Sequence, residues 1–461
     1  MPRDETEERR LAREAEEAER QKTSDLIDLE IAKEKAERDK RKKPNTTIML
    51  LGQAESGKVC RSTILKNFIL HYSPTTFYSE AETWKSIIHL NLVRSVNFVL
   101  DLLEDPTPIR SSSSAGRPMS SRNSQPLSPT MGGPSTTLRA LKMRLAPLRH
   151  VETTLNRFIC APEVMEGATR YKMDRAAEVS VPAGSGWKSL LKLRRDRRDG
   201  RSADELENAQ RVVEACKDDI VALWGDATIR SGLRQHQVQL EDQSGFFLSD
   251  AARIATRDYV PTADDILRAR VQTMGPEEHY VVMEHPVTDR LRGETWLFFD
   301  VGGSRSQRPA WAPYFEEANA IIFVVSMGVF DQPLAEDPSV NRLVDSLSIW
   351  KQICKNRLLS EKQFILLLNK KDILSSKLAS GIRFADFFPQ YTGANDNKSI
   401  ANQIRSEFLD IHKRRPASPN ISHRNIYAHF TCATDSKSTS EVLRQLQDVI
   451  LLRNLASAGV L

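Results

Sequence analysis

Cysteine is scarce in this chain and shows no paired spacing. Five cysteines occur in 461 residues, far apart in the sequence, at Cys60, Cys160, Cys216, Cys354 and Cys432. Isolated cysteines of this kind are typical of reducing compartments, so we expect an intracellular protein without disulfides. The N-terminal sequence MPRDETEERR has no apolar core, which argues against a signal peptide.

A long apolar run and a strong charge of one sign are also absent. No stretch approaches the roughly 20 consecutive apolar residues that span a bilayer. Lys and Arg number 66 and Asp and Glu 61, so the formal net charge is only +5. This excess is too small and too dispersed to indicate a nucleic-acid partner. The length allows two or three domains with a substantial core.

The segment 3–43 is charged and contains neither glycine nor proline, and Pro44 ends it. Small and apolar residues recur at steps of three and four, from Leu11 to Ala36. This periodicity predicts a long amphipathic helix. Such a helix either docks on a partner or remains a solvated, charged rod, and the sequence alone leaves both open.

The middle of the chain changes character at residues 105–137, which are rich in Ser, Pro and Gly. A segment of this composition buries too little apolar surface to order itself, so we predict disorder. A basic segment follows at 188–201, within a mixed region from 138 to 203. Helical patterns occupy 80–104 and return between 204 and 257.

The last 200 residues alternate between short apolar runs and helical patterns. Runs of this length and composition predict buried strands, and the helical patterns between them include 339–356 and 438–454. The predicted strands are 46–52, 296–300, 320–326, 363–369 and 426–432. Alternation of strand and helix predicts an α/β fold with a doubly wound parallel sheet, whose ligands bind beyond the strand ends.

Four of these strand ends carry motifs suited to a nucleotide. GQAESGK, Gly52–Lys58, fits the pattern G-x-x-x-x-G-K, in which backbone N–H groups and the lysine bind phosphates. DVGG, Asp300–Gly303, offers an acid for Mg²⁺ and glycines that let the backbone approach a γ-phosphate. NKKD, Asn369–Asp372, offers a carboxylate that accepts two N–H groups of guanine. TCAT, Thr431–Thr434, would close over the base.

Together with ILRARVQTMG (266–275), DVGGSRSQRPAW (300–311), FILLLNKKDIL and FTCATDSK, these motifs resemble heterotrimeric G-protein alpha subunits. The resemblance covers about residues 20–104 and 205–461, and the composition of the insert suggests a divergent fungal paralogue. It implies a Ras-like P-loop GTPase domain at 44–72 and 265–461. An all-α helical domain at 73–264 would be inserted into it, after an N-terminal helix at 1–43.

The resemblance also implies roles for individual residues. Arg270 resembles the built-in arginine finger, and Ser304 stands where the catalytic glutamine is expected. Thr273, Asp300 and Ser62 would bind Mg²⁺. The residues implied for GTP or GDP are Glu55, Ser56, Gly57, Lys58, Ser62, Thr63, Asp242, Leu267, Arg268, Arg270, Thr273, Gly303, Asn369, Lys370, Asp372, Cys432, Ala433 and Thr434.

Three features depart from the family pattern. Val59-Cys60-Arg61 separates Lys58 from Ser62, where family members carry Ser or Thr directly after the lysine. Three helical residues add ~4.5 Å of rise, so Ser62 keeps its usual position only if the loop bulges. The insertion reflects either a weakened magnesium site or an error in the coding sequence, such as a misplaced splice junction. Ala54 replaces a glycine, and Ser304 is too short to orient the attacking water as glutamine does.

These observations leave two hypotheses for function. The first is a GDP/GTP switch that binds a beta-gamma dimer, a G protein-coupled receptor and an effector, with slowed hydrolysis. The second is a nucleotide-binding interaction module with little or no GTPase activity. Pro2 excludes N-myristoylation, and the absence of cysteine before Cys60 excludes palmitoylation of the N-terminal helix. We therefore expect a cytoplasmic protein that reaches the inner face of the plasma membrane through its partners.

Overall fold

The chain divides into two units, Met1–Asn45 and Thr46–Leu461. The computed structural model describes residues 44–53, 61–104, 136–159, 181–183, 200–235, 240–243, 245–273, 276–285, 291–334, 336–414, 426–432 and 443–445. The predicted helix 3–43, residues 105–135 and most of the basic segment lie outside these ranges. A helix begins at Thr136, so the predicted disordered segment extends two residues too far.

Six strands form one sheet in the order β4-β5-β1-β6-β7-β8, and two short strands form a separate parallel pair. The strands are β1 (Thr46–Gly52), β2 (Val181–Ala183), β3 (Val271–Thr273), β4 (Glu277–Val282), β5 (Thr295–Asp300), β6 (Ala320–Ser326), β7 (Gln363–Asn369) and β8 (Ile426–Thr431). All five predicted strands are present within one residue of their predicted bounds.

The strands of the large sheet are parallel except for the edge strand β4, which runs antiparallel to β5. The sequence analysis did not predict β4 or the β2–β3 pair. Residues of β4 are only partly buried, so they lack the continuous apolar run of the central strands. In β2–β3, Val181 pairs with Val271 and Ala183 with Thr273.

Side chains of alternate residues in the strands face two different hydrophobic clusters. Met49, Phe299 and Phe323 belong to the cluster that contains Trp350 and Phe408 from two covering helices. Ile48, Phe298 and Ile322 belong to the other cluster, which contains Phe68 and Tyr72. Because both faces are covered, the central strands are apolar at nearly every position, which explains their clear sequence signal.

The described parts of the chain include thirteen α-helices with defined bounds, several 3₁₀ helices and a helical segment at 443–445. The thirteen α-helices are α1 (Arg61–Tyr72), α2 (Pro74–Ser79), α3 (Ala81–Glu104), α4 (Thr136–Leu145), α5 (Pro147–Ile159), α6 (Gly200–Ala215), α7 (Lys217–Gly225), α8 (Ala227–Gln235), α9 (Ala251–Ile254), α10 (Ala263–Arg268), α11 (Arg342–Lys355), α12 (Lys371–Ala379) and α13 (Asn397–Lys413). None of the helices in these parts is long and apolar enough to cross a membrane.

The helices between α2 and α10 share a hydrophobic cluster of their own, distinct from the two that cover the sheet. The long helix α3 passes through its centre, with Ile87, Leu90 and Val93 completely buried. This arrangement is the mostly parallel sheet with an inserted helical region that the sequence predicted, and the antiparallel edge strand β4 makes the sheet mixed. The exact domain boundaries at 72–73 and 264–265 remain predictions.

His89 on α3 is a titratable group inside this helical core. Its ring is 3% exposed, lies beside the ring of Tyr259, and its Nε2 is 3.1 Å from the carbonyl oxygen of Ile254. Burial lowers the pKa of His89 from 6.5 to about 4, with a smaller contribution from the nearby ammonium of Lys85, while the hydrogen bond to Ile254 opposes the shift. The folded protein therefore holds this imidazole neutral.

Stability should consequently fall as the pH drops from 6.5 to 4. In this window the unfolded chain binds a proton at His89 that the folded chain excludes. The free energy of unfolding should therefore decrease by up to about 3 kcal/mol. Urea titrations at several pH values, compared between wild type and His89→Gln, isolate this contribution. His150→Gln, at an exposed position on α5, is the control. Parallel curves for wild type and His89→Gln would contradict the prediction.

Candidate functional site

The carboxyl ends of the parallel strands meet at one edge of the sheet. The register pairs Gly52 with Val324, Ser326 with Asn369, and Asn369 with Thr431. At Gly52 the strands approach so closely that a Cβ would lie 2.5 Å from the carbonyl oxygen of Val324, so only glycine fits there. The four sequence motifs therefore begin at one edge of the sheet, on the neighbouring strands β5 and β1 and on the neighbouring strands β7 and β8, with β6 between the two pairs.

The phosphate-binding loop itself lies mostly outside the described residues. Ala54 and the predicted contacts Glu55, Ser56, Gly57 and Lys58 fall there, as do Val59 and Cys60. The next described residue is Arg61, the first residue of α1.

Ser62 in the first turn of α1 meets the acid at the end of β5. Its Oγ donates a hydrogen bond to Asp300 Oδ2 at 2.5 Å, although the two residues are 238 positions apart. Asp300 is 1% exposed, so this contact forms inside the protein. The hydroxyl of Thr63 instead donates to the carbonyl oxygen of Leu267 at 3.3 Å. Of the two hydroxyls predicted to serve the nucleotide, Ser62 is the one beside the acid.

This pair fits the donor set of a magnesium site. Mg²⁺ is typically held by one or two protein oxygens, with phosphates and waters completing its octahedron. Ser62 and Asp300 supply a hydroxyl and a carboxylate at one point. Among the described residues, no group of three or more His, Cys, Asp or Glu side chains forms a metal cage. Because Mg²⁺ takes six ligands, an ion held by these two oxygens would take the others from water and from the phosphates of a bound nucleotide.

Arg270 is fixed by the helical region through its backbone. The side chain of Asn91 on α3 accepts from Arg270 N at 2.9 Å and donates to Arg270 O at 3.1 Å. A Cβ on Gly245 would lie 3.2 Å from Arg270 Cβ and 3.0 Å from Asn91 Cγ. The glycine therefore allows this close packing. Arg270 is 7% exposed and directly precedes β3, which ends at Thr273.

The short helix α10 lies just before Arg270 in the sequence and is held by hydrogen bonds from α1. Lys66 of α1 donates from Nζ to the carbonyl oxygens of Ile266 at 2.9 Å and Ala269 at 2.7 Å. Asp265 caps the start of α10 and is fully buried. Burial alone would raise its pKa, but hydrogen bonds from Arg253, Thr262 and Tyr259 hold the pKa well below its usual value.

Two further predicted nucleotide contacts lie on α10. Leu267 is 2% exposed and offers its carbonyl oxygen to Thr63. The guanidinium of Arg268 pairs with Asp250 at 3.0 Å and with Asp265 at 3.2 Å. The Arg268 side chain is therefore part of an ion-pair network with these carboxylates, and this network stabilises α10. Asp242 lies in a short 3₁₀ helix, Leu240–Asp242.

The DVGG loop after β5 is buried at Gly302 and Gly303 and leads into a 3₁₀ helix, Arg305–Tyr314. Ser304 donates from Oγ to Gln307 Oε1 at 2.8 Å, and Gln307 N donates to Ser304 O at 3.0 Å. The carboxamide of Gln307 lies against Gly302, where a Cβ would be 2.0 Å from Oε1. Ser304 is thus engaged with Gln307.

A second contact ties this loop to helix α11. Arg308 donates from Nε to the carbonyl oxygen of Gly303 at 3.3 Å and from Nη2 to Asp345 Oδ2 at 2.5 Å. Asp345 is 4% exposed. The guanidinium of Arg308 therefore links the backbone of Gly303, the predicted γ-phosphate contact, to α11 through hydrogen bonds.

The opposite end of the site carries the predicted guanine contacts. Asn369 and Lys370 are 1% and 2% exposed, and Asn369 Oδ1 accepts from Lys370 N at 2.8 Å. Lys370 has the left-handed φ of 64°, so the chain turns sharply into α12. The turn leaves Asp372 exposed in the first turn of α12. Cys432 is half-buried, and Ala433 and Thr434 lie outside the described residues.

Sequence analysis missed several residues that shape the site. They are Lys66, Asn91, Gly245, Gln307, Arg308 and Asp345. Asn91 had a usable signal, because it is a polar residue within the apolar run IIHLNLV (87–93) of a predicted helix. The others have no local pattern that distinguishes them from ordinary surface residues.

The fold and the motif-bearing strand ends define a Ras-like nucleotide-binding protein with an inserted helical region. The family model of the G-protein alpha subunit matches residues 21–450, and the chain therefore belongs to the G-protein alpha subunit family. The predicted fold class and family are thus confirmed. The protein is a GTP-binding component of signal transduction, and members of its family are in general GTPases that bind guanine nucleotides with Mg²⁺.

Two relatives illustrate this similarity. The chain is 30% identical to the guanine nucleotide-binding protein alpha-4 subunit of Mycosarcoma maydis over 492 aligned residues, which cover 90% of this chain and 83% of that protein. It is 38% identical to the guanine nucleotide-binding protein alpha-16 subunit of Caenorhabditis elegans over 240 residues. That alignment covers 52% of this chain and 64% of the nematode protein.

Proposed function

We propose that this alpha subunit is a slowly hydrolysing GDP/GTP switch. In its GDP form it binds a beta-gamma dimer, and a G protein-coupled receptor drives exchange for GTP. The GTP form then contacts a downstream effector until hydrolysis ends the signal. It works at the inner face of the plasma membrane, which it reaches through its partners. Alpha subunits in general have these three kinds of partner.

The contact between Ser62 Oγ and Asp300 Oδ2 at 2.5 Å is the observation that carries this proposal. It supports a functional magnesium site in spite of the insertion Val59-Cys60-Arg61. Ser62, Asp300 and Thr273 would hold the ion. When bound, Mg²⁺ would neutralise charge on the β- and γ-phosphates. Sequencing the transcript across codons 55–65 decides whether the insertion belongs to the protein.

The residues of this chain suit a slow hydrolysis step. Water attacks the γ-phosphorus, the bond to the bridging oxygen of GDP breaks, and inorganic phosphate leaves. Arg270, held by Asn91, offers its guanidinium to the charge that develops on the phosphoryl group. Ser304 is too short to hold the water in line, and its hydroxyl is bonded to Gln307.

Restoring glutamine should therefore raise the rate. We expect Ser304→Gln to accelerate single-turnover GTP hydrolysis by about tenfold or more, because a glutamine returns to the position from which alpha subunits orient the attacking water. Ala54→Gly should add to the gain by relieving crowding. Because both positions act on one transition state, their effects should not be additive. The rates are measured on purified full-length chain, with GTP binding recorded in parallel.

The alternative is a nucleotide-binding interaction module without significant hydrolysis. The short side chain of Ser304, the presence of Ala54 and the insertion Val59-Cys60-Arg61 favour it. Stable GTP binding without release of phosphate over many hours would support this alternative and contradict the switch. A wild-type rate equal to that of ordinary alpha subunits, unchanged by Ser304→Gln, would contradict slowed hydrolysis.

A further inference from the structure

We infer that Gln307 orients the attacking water in this alpha subunit, though less effectively than the glutamine that position 304 lacks. The inference rests on the proposed GTPase function and identifies a further catalytic residue for it. It is carried by the placement of the Gln307 carboxamide against the DVGG loop.

The position of the carboxamide is defined by the glycine beneath it. A Cβ on Gly302 would lie 2.0 Å from Gln307 Oε1 and 2.4 Å from Cδ, so the carboxamide fills the space that any side chain at 302 would need. Gly302 is followed by Gly303, whose backbone is predicted to contact the γ-phosphate. The Gln307 side chain therefore lies against Gly302, directly beside the residue whose backbone is predicted to contact the γ-phosphate.

Ser304 holds Gln307 in this position through two hydrogen bonds. Gln307 N donates to Ser304 O at 3.0 Å, which closes a turn, and Ser304 Oγ donates to Gln307 Oε1 at 2.8 Å. The backbone bond brings residue 307 close to residue 304, and the side-chain bond holds the Gln307 carboxamide beside the Ser304 hydroxyl. A serine at 304 is thus suited to support a glutamine, although it is too short to replace one.

The chemistry of a carboxamide fits the task. Its oxygen accepts a hydrogen bond from the attacking water, and its NH₂ group donates to a phosphoryl oxygen. Held over the DVGG loop, such a group orients the water for in-line attack on the γ-phosphorus. Gln307 is half-buried, so water reaches it from solvent while the turn limits its movement.

Single-turnover GTP hydrolysis by the purified full-length chain tests this role. We expect Gln307→Ala to lower the rate by about 10²-fold, as the loss of one preorganised group at a transition state does. The affinities for GTP and GDP and the melting temperature should stay close to those of the wild type. Ser304→Ala, which removes only the hydroxyl that holds the carboxamide, should cause a smaller loss. Gln403→Ala, at an exposed glutamine on α13, is the control and should leave the rate unchanged.

A rescue variant separates an orienting role from a structural one. Ser304→Gln combined with Gln307→Ala returns a glutamine to the loop and should restore at least the wild-type rate. An unchanged rate in Gln307→Ala, with measurable wild-type hydrolysis, would overturn the role of Gln307 and leave the GTPase function intact. Absence of GTP binding or of any hydrolysis by the wild type would instead overturn the proposed function, and this inference with it.

Discussion

Replacing Arg270 with lysine should slow single-turnover GTP hydrolysis by about 10³-fold, while GTP binding stays within about threefold of the wild type. The guanidinium is planar and donates two parallel hydrogen bonds to phosphoryl oxygens, whereas an ammonium acts as a single point charge. The side chain is 7% exposed, so its interactions are only weakly screened by solvent. The wild-type rate itself is expected to be low, so the assay must follow bound GTP for many hours.

A substitution of Asn91 tests the role of Arg270 independently. The Asn91 side chain bonds to both the N–H and the carbonyl group of Arg270 from 179 residues away. Asn91→Ala keeps the guanidinium of Arg270 but removes both hydrogen bonds to its backbone. We therefore expect GTP hydrolysis to slow by about tenfold, because the guanidinium is no longer held in the productive position. Arg257→Lys, at an exposed position, is the control. Equal rates for Arg270→Lys and wild type would show that Arg270 takes no part in the reaction.

Guanine selectivity should depend on Asp372. A carboxylate accepts hydrogen bonds from the ring N–H and the exocyclic NH₂ of guanine, and adenine does not present this pair of donors. Asp372→Asn should weaken GTP binding by about 10²-fold or more, because hydrogen bonds to a charged group are among the stronger ones. The asparagine instead offers one donor and one acceptor, which match xanthine. Affinity for xanthosine triphosphate should therefore rise.

Competition binding with labelled GTP measures both changes. Unlabelled GTP, ATP and xanthosine triphosphate are titrated against wild type and Asp372→Asn. Asp386→Asn, which alters another exposed aspartate of the same region, is the control and should retain the wild-type preference. Competition by ATP as effective as that by GTP in the wild type would disprove guanine selectivity.

The strand ends that carry the candidate nucleotide site could be predicted because their signals are local. Each motif follows a short apolar run, and a strand buried on both faces must be apolar at almost every position. Asp300, Asn369 and Thr431 therefore fall at strand ends in the structure, as their positions in the sequence indicated. Strand β4 was missed for the same reason, because an edge strand that is only partly buried carries no such run.

The sequence alone also determined the family and the departures from it. The motifs consist of contiguous residues, so they can be recognised without knowledge of the fold. Ser304 and the insertion after Lys58 could therefore be identified from the sequence. Their consequence was not visible. The insertion suggested that Ser62 keeps its usual position only if the loop bulges, and the structure brings the Ser62 hydroxyl to Asp300.

Only the tertiary structure decided which side chains support the predicted site. Ser62 meets Asp300 across 238 residues, and Lys66 reaches Ala269 across 203. Contacts between segments so far apart depend on how the helical region and the sheet fold, and no periodicity or spacing encodes them. Gln307 is only three residues from Ser304, yet its role was equally hidden, because the sequence does not specify that a turn folds its carboxamide onto Gly302.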